Sequence, residues 1–168
     1  MNKDFKLKLL KDSMGQFEYE MFQEIPLREP GADNLLNGLS FDEFKDKSKD
    51  IADNENRQLD DDGTPVIAYI MYVDNYPVGV VNIRTRINEY WAEHSGNIYY
   101  TICPSQRKKG YGTKMLGLAL DECRKLGFDE VLLQSSDGNI ASAKTIENNG
   151  GVLLRDDHSR YYKINLSD

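Results

Sequence analysis

Cysteine is scarce: the 168 residues hold two, Cys103 and Cys123. They fall in separate expected elements without metal-ligand spacing, which argues against a disulfide framework or a zinc site and leaves two free thiols in a reducing compartment. Positive charge is also short, with 21 Lys and Arg against 28 Asp and Glu and a formal net charge of −7. Binding a phosphate backbone needs a basic footprint spread over a face, so nucleic acid is not expected as a general partner. No apolar run approaches the roughly 18 residues that span a bilayer. The stretch MNKDFKLKLLKDS is charged throughout and lacks the apolar centre of a signal peptide. These features predict a cytoplasmic chain with no membrane partner. Repeats, low-complexity tracts and Pro/Gly-rich linkers are missing as well, so a single domain over 1–168 is expected. The run Asp60-Asp61-Asp62-Gly63 lacks the further alternating ligands of a calcium loop, reads as a solvated turn, and leaves no metal site in view.

What is present is pattern. FKLKLLK (5–11) alternates as a first strand does, and SMGQFEYEMFQEI (13–25) opens with the cap-type Ser13 and spaces Phe17, Met21, Phe22 and Ile25 along one helical face. LREPGADNLLNGL (27–39) is full of breakers and reads as loop. SFDEFKDKSKDIADN (40–54) predicts a second, mostly solvated helix with Phe41, Phe44, Ile51 and Ala52 inward. From residue 65 the β-branched runs PVIAYIMYV and VGVVNIRTR flank DNYP as an antiparallel hairpin. INEYWAEHSG (87–96) is a short helix or loop leading into the strand NIYYTIC (97–103). GTKMLGLALDECRKLG (112–127) places Met115, Leu116, Ala119, Leu120, Cys123 and Leu126 on one helical face, with Gly127 as the stop. The strand DEVLLQS, the helix NIASAKTIENN capped by Asn139, and the strands GVLLR and RYYKINL complete the chain. A hairpin followed by strand, helix, strand, helix and a strand pair predicts a mixed α/β sheet with helices on both faces.

The stretch TICPSQRKKGYGTKMLG (101–117) stands out in an acidic chain, because Arg107, Lys108 and Lys109 run straight into Gly110-Tyr111-Gly112 at a helix start. Glycines let backbone approach a ligand and expose successive N–H groups, while the unsatisfied donors and positive dipole end of the helix attract an anion. The combination has the physics of a diphosphate cradle. It is not a Walker loop, since no lysine followed by Ser or Thr closes the glycine spacing. Nor is it a Rossmann fingerprint, which would need a small residue where Met115 stands and an acidic ribose ligand at the end of the next strand.

The remaining pattern, R-x-x-G-x-G, resembles the pyrophosphate loop of the GNAT superfamily of acyl-CoA-dependent N-acetyltransferases. The likeness extends to the proline after the preceding strand (TICP) and to a later helix, NIASAKTIENNGG. There Asn139, Ser142, Ile146, Gly150 and Gly151 fall on the positions of N-x-x-A-x-x-x-Y-x-x-x-G-F. Roughly residues 64 to 166 follow the family's order of elements, and the two stretches look most like a bacterial group of predicted acetyltransferases. The resemblance implies a mostly antiparallel sheet with a splayed parallel strand pair. It also implies acetyl-CoA as co-substrate, and transfer of acetyl to a small-molecule or peptide amine by direct attack in a ternary complex. By the same resemblance the backbone of Tyr100, Thr101 and Ile102 would hold the pantetheine arm and the thioester carbonyl. The span Arg107, Lys108, Lys109, Gly110, Tyr111, Gly112 and Thr113 would hold the diphosphate, and Asn139 with Ser142 would contact pantetheine.

Two positions depart from the family pattern: its frequent general acid, a tyrosine, is Ile146 here, and the aromatic after the glycine is Gly151. On the last strand Tyr162 shares an alternation face with Ile164 and Leu166, so Tyr161 is the better source of the missing proton. For the base, Glu89 leads, since it lies beside Tyr90 and Trp91 in a segment expected to border the acceptor site, where partial burial raises a carboxyl pKa. His94 is next and Glu93 is the third. Cys103 reads as an inert strand thiol rather than an acyl carrier. A CoA-binding relative without activity and an unrelated phosphate- or protein-binding module are the alternatives. The acceptor, the acyl group and the choice between monomer and homodimer stay open at this point.

Overall fold

The computed structural model describes residues 2–29, 32–53, 57–59 and 62–167. Among these described residues ten strands and five α-helices follow in chain order: β1 (Phe5–Leu9), α1 (Gln16–Glu24), β2 (Arg28–Glu29), β3 (Ala32–Asp33), α2 (Phe41–Asp53), β4 (Arg57–Leu59), β5 (Pro65–Val73), β6 (Tyr76–Arg84), α3 (Glu89–His94), β7 (Ile98–Ile102), α4 (Tyr111–Lys125), β8 (Glu130–Ser136), α5 (Ile140–Asn148), β9 (Val152–Asp157) and β10 (Ser159–Asn165). The inward placement expected for Ile51 and Ala52, and the Asp60-Asp61 part of the acidic turn, fall outside the described residues and side chains.

One sheet runs β1-β5-β6-β7, with β4 also on β5, and a second runs β8-β10-β9; each ladder in them is antiparallel. β5 explains why its sequence is a continuous apolar run rather than an alternating one. Tyr69, Met71 and Val73 enter the core under α4 and α5, while Ala68, Ile70 and Tyr72 enter the core under α1 and α2. Both faces of the strand are dry, so period-2 alternation disappears from its hydropathy. The β5–β6 turn places Asp74 and Asn75 at φ +51° and +67°, the left-handed pair that a two-residue hairpin requires.

Several boundaries differ from expectation. The first helix is not capped by Ser13, whose hydroxyl donates to the Leu9 carbonyl; it starts after Gly15, whose N–H donates to the Glu18 carboxylate. Phe17 is exposed instead of facing inward, because the first turn of α1, which carries it, packs beside the exposed Tyr76 at the β5–β6 turn. Leu126, at the C-cap of α4, is also exposed. The segment 27–39 is not all loop: β2 and β3 pair through Arg28 with Asp33 and Glu29 with Ala32.

Beyond their starts, β7 and β8 share no ladder. They are joined by the α4 crossover and meet where the Asn97 N–H donates to the Leu132 carbonyl (2.7 Å) and the Asn97 side-chain oxygen accepts the Leu132 N–H (2.9 Å). Gly96 allows that approach: its φ is +81°, and a Cβ there would lie 2.1 Å from the Leu132 oxygen. The later residues of both strands then line opposite sides of one cavity.

Candidate functional site

The cavity has a volume of about 460 Å³ and lies between the spread ends of β7 and β8 and the first turns of α4 and α5. α4 contributes an uncapped helix start. Gly110, its N-cap, sits at φ +77° and no side chain accepts from the first turn, so the donors of Tyr111, Gly112 and Thr113 are of the kind that helix geometry leaves without an internal acceptor. Lys108 is also left-handed, at φ +61°. Left-handed residues alternating with extended or helical ones turn consecutive N–H groups toward one concave surface, which suits an anion. A Cβ on Gly112 would reach toward Thr145 Oγ1 (3.4 Å) and Ile102 Cγ1 (4.0 Å), so hydrogen at this position keeps a gap open between α4, α5 and β7.

α5 contributes a capped start. The Asn139 side-chain oxygen accepts the Ser142 N–H at 3.1 Å, as the cap read from sequence requires. Asn149, at the far end of the helix, donates to the Thr113 and Thr145 carbonyls (3.0 and 2.9 Å) and so ties the walls together. Ile146 is fully buried, and a Cβ on Gly151 would stand 2.5 Å from Ile146 Cγ2. The two departures from the family pattern therefore pack against one another.

Of the expected residues, Tyr100, Thr101, Ile102, Arg107, Lys108, Gly110, Tyr111, Gly112, Thr113, Asn139 and Ser142 line this cavity together. Lys109 does not; its ammonium turns to the Gln106 side chain at 2.9 Å. Tyr161 and Glu89 also lie off the wall. Tyr161 pairs with Gln134, which is on the wall, and its ring lies under the Arg155 guanidinium at 3.9 Å. Glu89 is exposed in the first turn of α3, not half-buried as expected, because Tyr90 and the charged residues around it face solvent too. His94 is exposed, stacked on Tyr90. Tyr162 is buried and donates its hydroxyl to Glu147 at 2.9 Å.

Sequence reading missed Glu29, Thr145 and the Gln134–Ser136 face of β8, all on the wall. Glu29 accepts from the Thr101 hydroxyl at 2.6 Å and pairs with Arg107, whose Nε donates to the Ile102 carbonyl at 2.9 Å. Nothing local in the 27–39 stretch marks a two-residue hairpin; the alternation of polar residues along β8 is the one signal that was legible. Tyr100 sends its hydroxyl to within 3.4 Å of Ser142 Oγ. Burial pushes its phenol above the ordinary range, against smaller opposing contributions from hydrogen bonds with Ser142 and Thr145. Cys103 faces the α1–α2 core, away from the cavity, and burial followed by the Glu24 hydrogen bond lifts its thiol to about 11. Among the described residues no His, Cys, Asp and Glu group could hold a metal, and no helix is long and apolar enough to cross a membrane.

The N-acetyltransferase PseH of Campylobacter jejuni superposes with TM-score 0.63 at 15% identity, covering 97% of this chain and 99% of that one. RimL, a ribosomal L7/L12 alpha-N-protein acetyltransferase in complex with coenzyme A, gives 0.67 at 12% identity, covering 96% and 93%. A chimera of spermidine N-acetyltransferase SpeG from Vibrio cholerae and hSSAT gives 0.62 at 15%, covering 96% and 95%. At such identities these likenesses speak for the fold. No curated protein sequence matches the chain. The family model described as Acetyltransferase (GNAT) family matches residues 29–150, a span that contains the whole cavity wall, and the chain belongs to that family.

Proposed function

We propose that this chain transfers an acetyl group from acetyl-CoA to a primary amine of a small-molecule or peptide acceptor, by direct attack with both substrates bound. The observation that carries the reading is the uncapped start of α4 behind the Arg107–Gly112 turn, opening onto a cavity whose other walls are two strands without a shared ladder. Family membership supports acetyl transfer from acetyl-CoA. The fold neighbours include enzymes whose acceptors are a polyamine and a protein N-terminus, both amines.

Each wall has a role in that chemistry. The first-turn donors of α4, with Arg107 and Lys108 beside them, hold the diphosphate of the co-substrate. The edge of β7 that turns away from β6 has no strand partner past Asn97 among the described residues; the ladder register turns the Thr101 backbone toward Val80 of β6 and the backbone N–H groups of Tyr100 and Ile102 outward, so these two can pair with the amide-bearing pantetheine arm and donate to the thioester oxygen as negative charge develops there, with Thr101 contributing its side chain alone. Asn139 and Ser142 border the same arm. Holding amine and thioester in contact replaces a bimolecular encounter, and this positioning supplies most of the rate. The departing thiolate takes a proton from Tyr100, on the wall and kept protonated by burial, or from Tyr161 on the neighbouring strand face. Glu89 is exposed and off the wall, so its part as a base would run through water.

Release of free thiol from acetyl-CoA with a panel of primary amines tests the reading. Amine-dependent release supports it. Tight binding of acetyl-CoA with no release for any amine would favour a CoA-binding relative without activity, the reading to which buried Ile146 lends some weight.

A further inference from the structure

Among the described residues of the cavity wall, Glu29 is the one carboxylate. It stands against a wall otherwise made of hydroxyls, amides, apolar groups and the cations Arg107 and Lys108. Its side chain is 16% exposed, and it is carried by β2, whose hairpin partner β3 contacts β7. One carboxylate oxygen takes the Thr101 hydroxyl and the other takes Arg107. An ionised carboxylate has about four lone-pair directions, so two donors leave it able to accept more. Arg107 is shared in turn, holding the Ile102 carbonyl through Nε and Glu29 through Nη2.

From this arrangement we infer that Glu29 is the specificity-determining residue for the acceptor: it receives a cationic nitrogen and so selects polyamine-like or basic-peptide acceptors over anionic amines. The inference rests on the proposed acetyl transfer. Its electrostatics follow from the pair. With the cavity empty, the Arg107 guanidinium offsets the charge on Glu29. A diphosphate at the start of α4 draws on the same guanidinium, and the field of Glu29 is then less offset within the cavity. A cation therefore binds more tightly once the co-substrate is in place, and linkage makes the effect reciprocal.

Calorimetry with spermidine as the cationic probe tests this on the intact chain, with and without CoA. The wild type should bind spermidine more tightly when loaded with CoA. Glu29→Gln should weaken spermidine at least about tenfold, as loss of a charge-assisted hydrogen bond does, while CoA binds at least as tightly as to wild type, because Arg107 no longer offsets a carboxylate. Arg107→Ala, which leaves the Thr101 bond to Glu29 in place, should tighten spermidine in the absence of CoA while weakening CoA. That sign separates an anchor from a mere latch, since a latch released by Arg107→Ala would not bind a cation better. Spermidine affinity unchanged in Glu29→Gln, or no spermidine binding by the CoA-loaded wild type, overturns the assignment. Failure of the wild type to bind CoA at all would instead strike the acetyltransferase reading.

Discussion

Asn97 meets Leu132 through two hydrogen bonds, one from its own N–H and one to its side-chain oxygen, and the cavity opens immediately beyond this junction. Asn97 is buried, so these two bonds are made away from water. Asn97→Leu should cost about 1–3 kcal/mol, because it leaves the Leu132 N–H without its acceptor. Gly96→Ala should cost more, since a Cβ would collide with backbone and the φ is left-handed. Urea unfolding of the two variants ranks these effects; a Gly96→Ala protein as stable as wild type would refute the geometry.

The cap of α5 links stability to the co-substrate. Asn139→Ala should lower stability by about 1 kcal/mol, the usual worth of an N-cap, and should also weaken acetyl-CoA, because the same side chain is on the cavity wall. Thermal unfolding and calorimetry together check it. Loss of stability with unchanged CoA affinity would confine Asn139 to capping.

Two tyrosines compete for the proton of the leaving thiolate. Tyr100→Phe or Tyr161→Phe should lower kcat about 100-fold while CoA affinity holds, whichever is the donor, as removal of a general acid does. The wall position of Tyr100 favours it. Tyr162→Phe should leave turnover near wild type, since that hydroxyl serves Glu147 instead. Full turnover in both single variants and their double would assign the proton to solvent or to the acceptor.

The thiols make a pH prediction. Burial leads in raising Cys103 to about 11 and Cys123 to about 12, from an ordinary 9.0. A group whose pKa is raised on folding contributes stability that is whole below its unfolded value and lost as pH climbs. Stability should therefore hold up to pH 9 and fall between there and about 12. At neutral pH a thiol reagent should label neither cysteine in the folded chain and both in urea; fast labelling of the native chain would contradict their burial.

Much of this was legible in sequence because local chemistry dictated it. The Arg107–Gly112 turn declares itself by placing glycines and cations at the head of an amphipathic helix, and Asn139 is a cap wherever a helix follows it. β5 and β6 show as β-branched runs because both faces are buried. Glu29 was illegible for the opposite reason. Its strand is two residues long, and its partners, Thr101 and Arg107, are 72 and 78 residues away, so only the tertiary fold gives it a role. Glu89 misled through its aromatic neighbours: Tyr90 packs on Trp91 and His94 in the solvated α3 and does not bury the carboxyl. Phe17 and Leu126 obeyed helical spacing but fell at or beyond helix ends, where spacing no longer decides burial.

The diphosphate cradle at the start of α4 is tested most directly by calorimetric titration of CoA into wild type and Gly112→Val. A Cβ added at Gly112 lies 3.4 Å from Thr145 Oγ1 across the gap between α4, α5 and β7, and the branched carbons beyond it crowd the backbone's approach to a diphosphate. About one CoA should bind per wild-type chain, and a folded Gly112→Val should lose at least tenfold in affinity, about 1.4 kcal/mol or more. CoA affinity within about twofold of wild type in that variant would contradict the cradle.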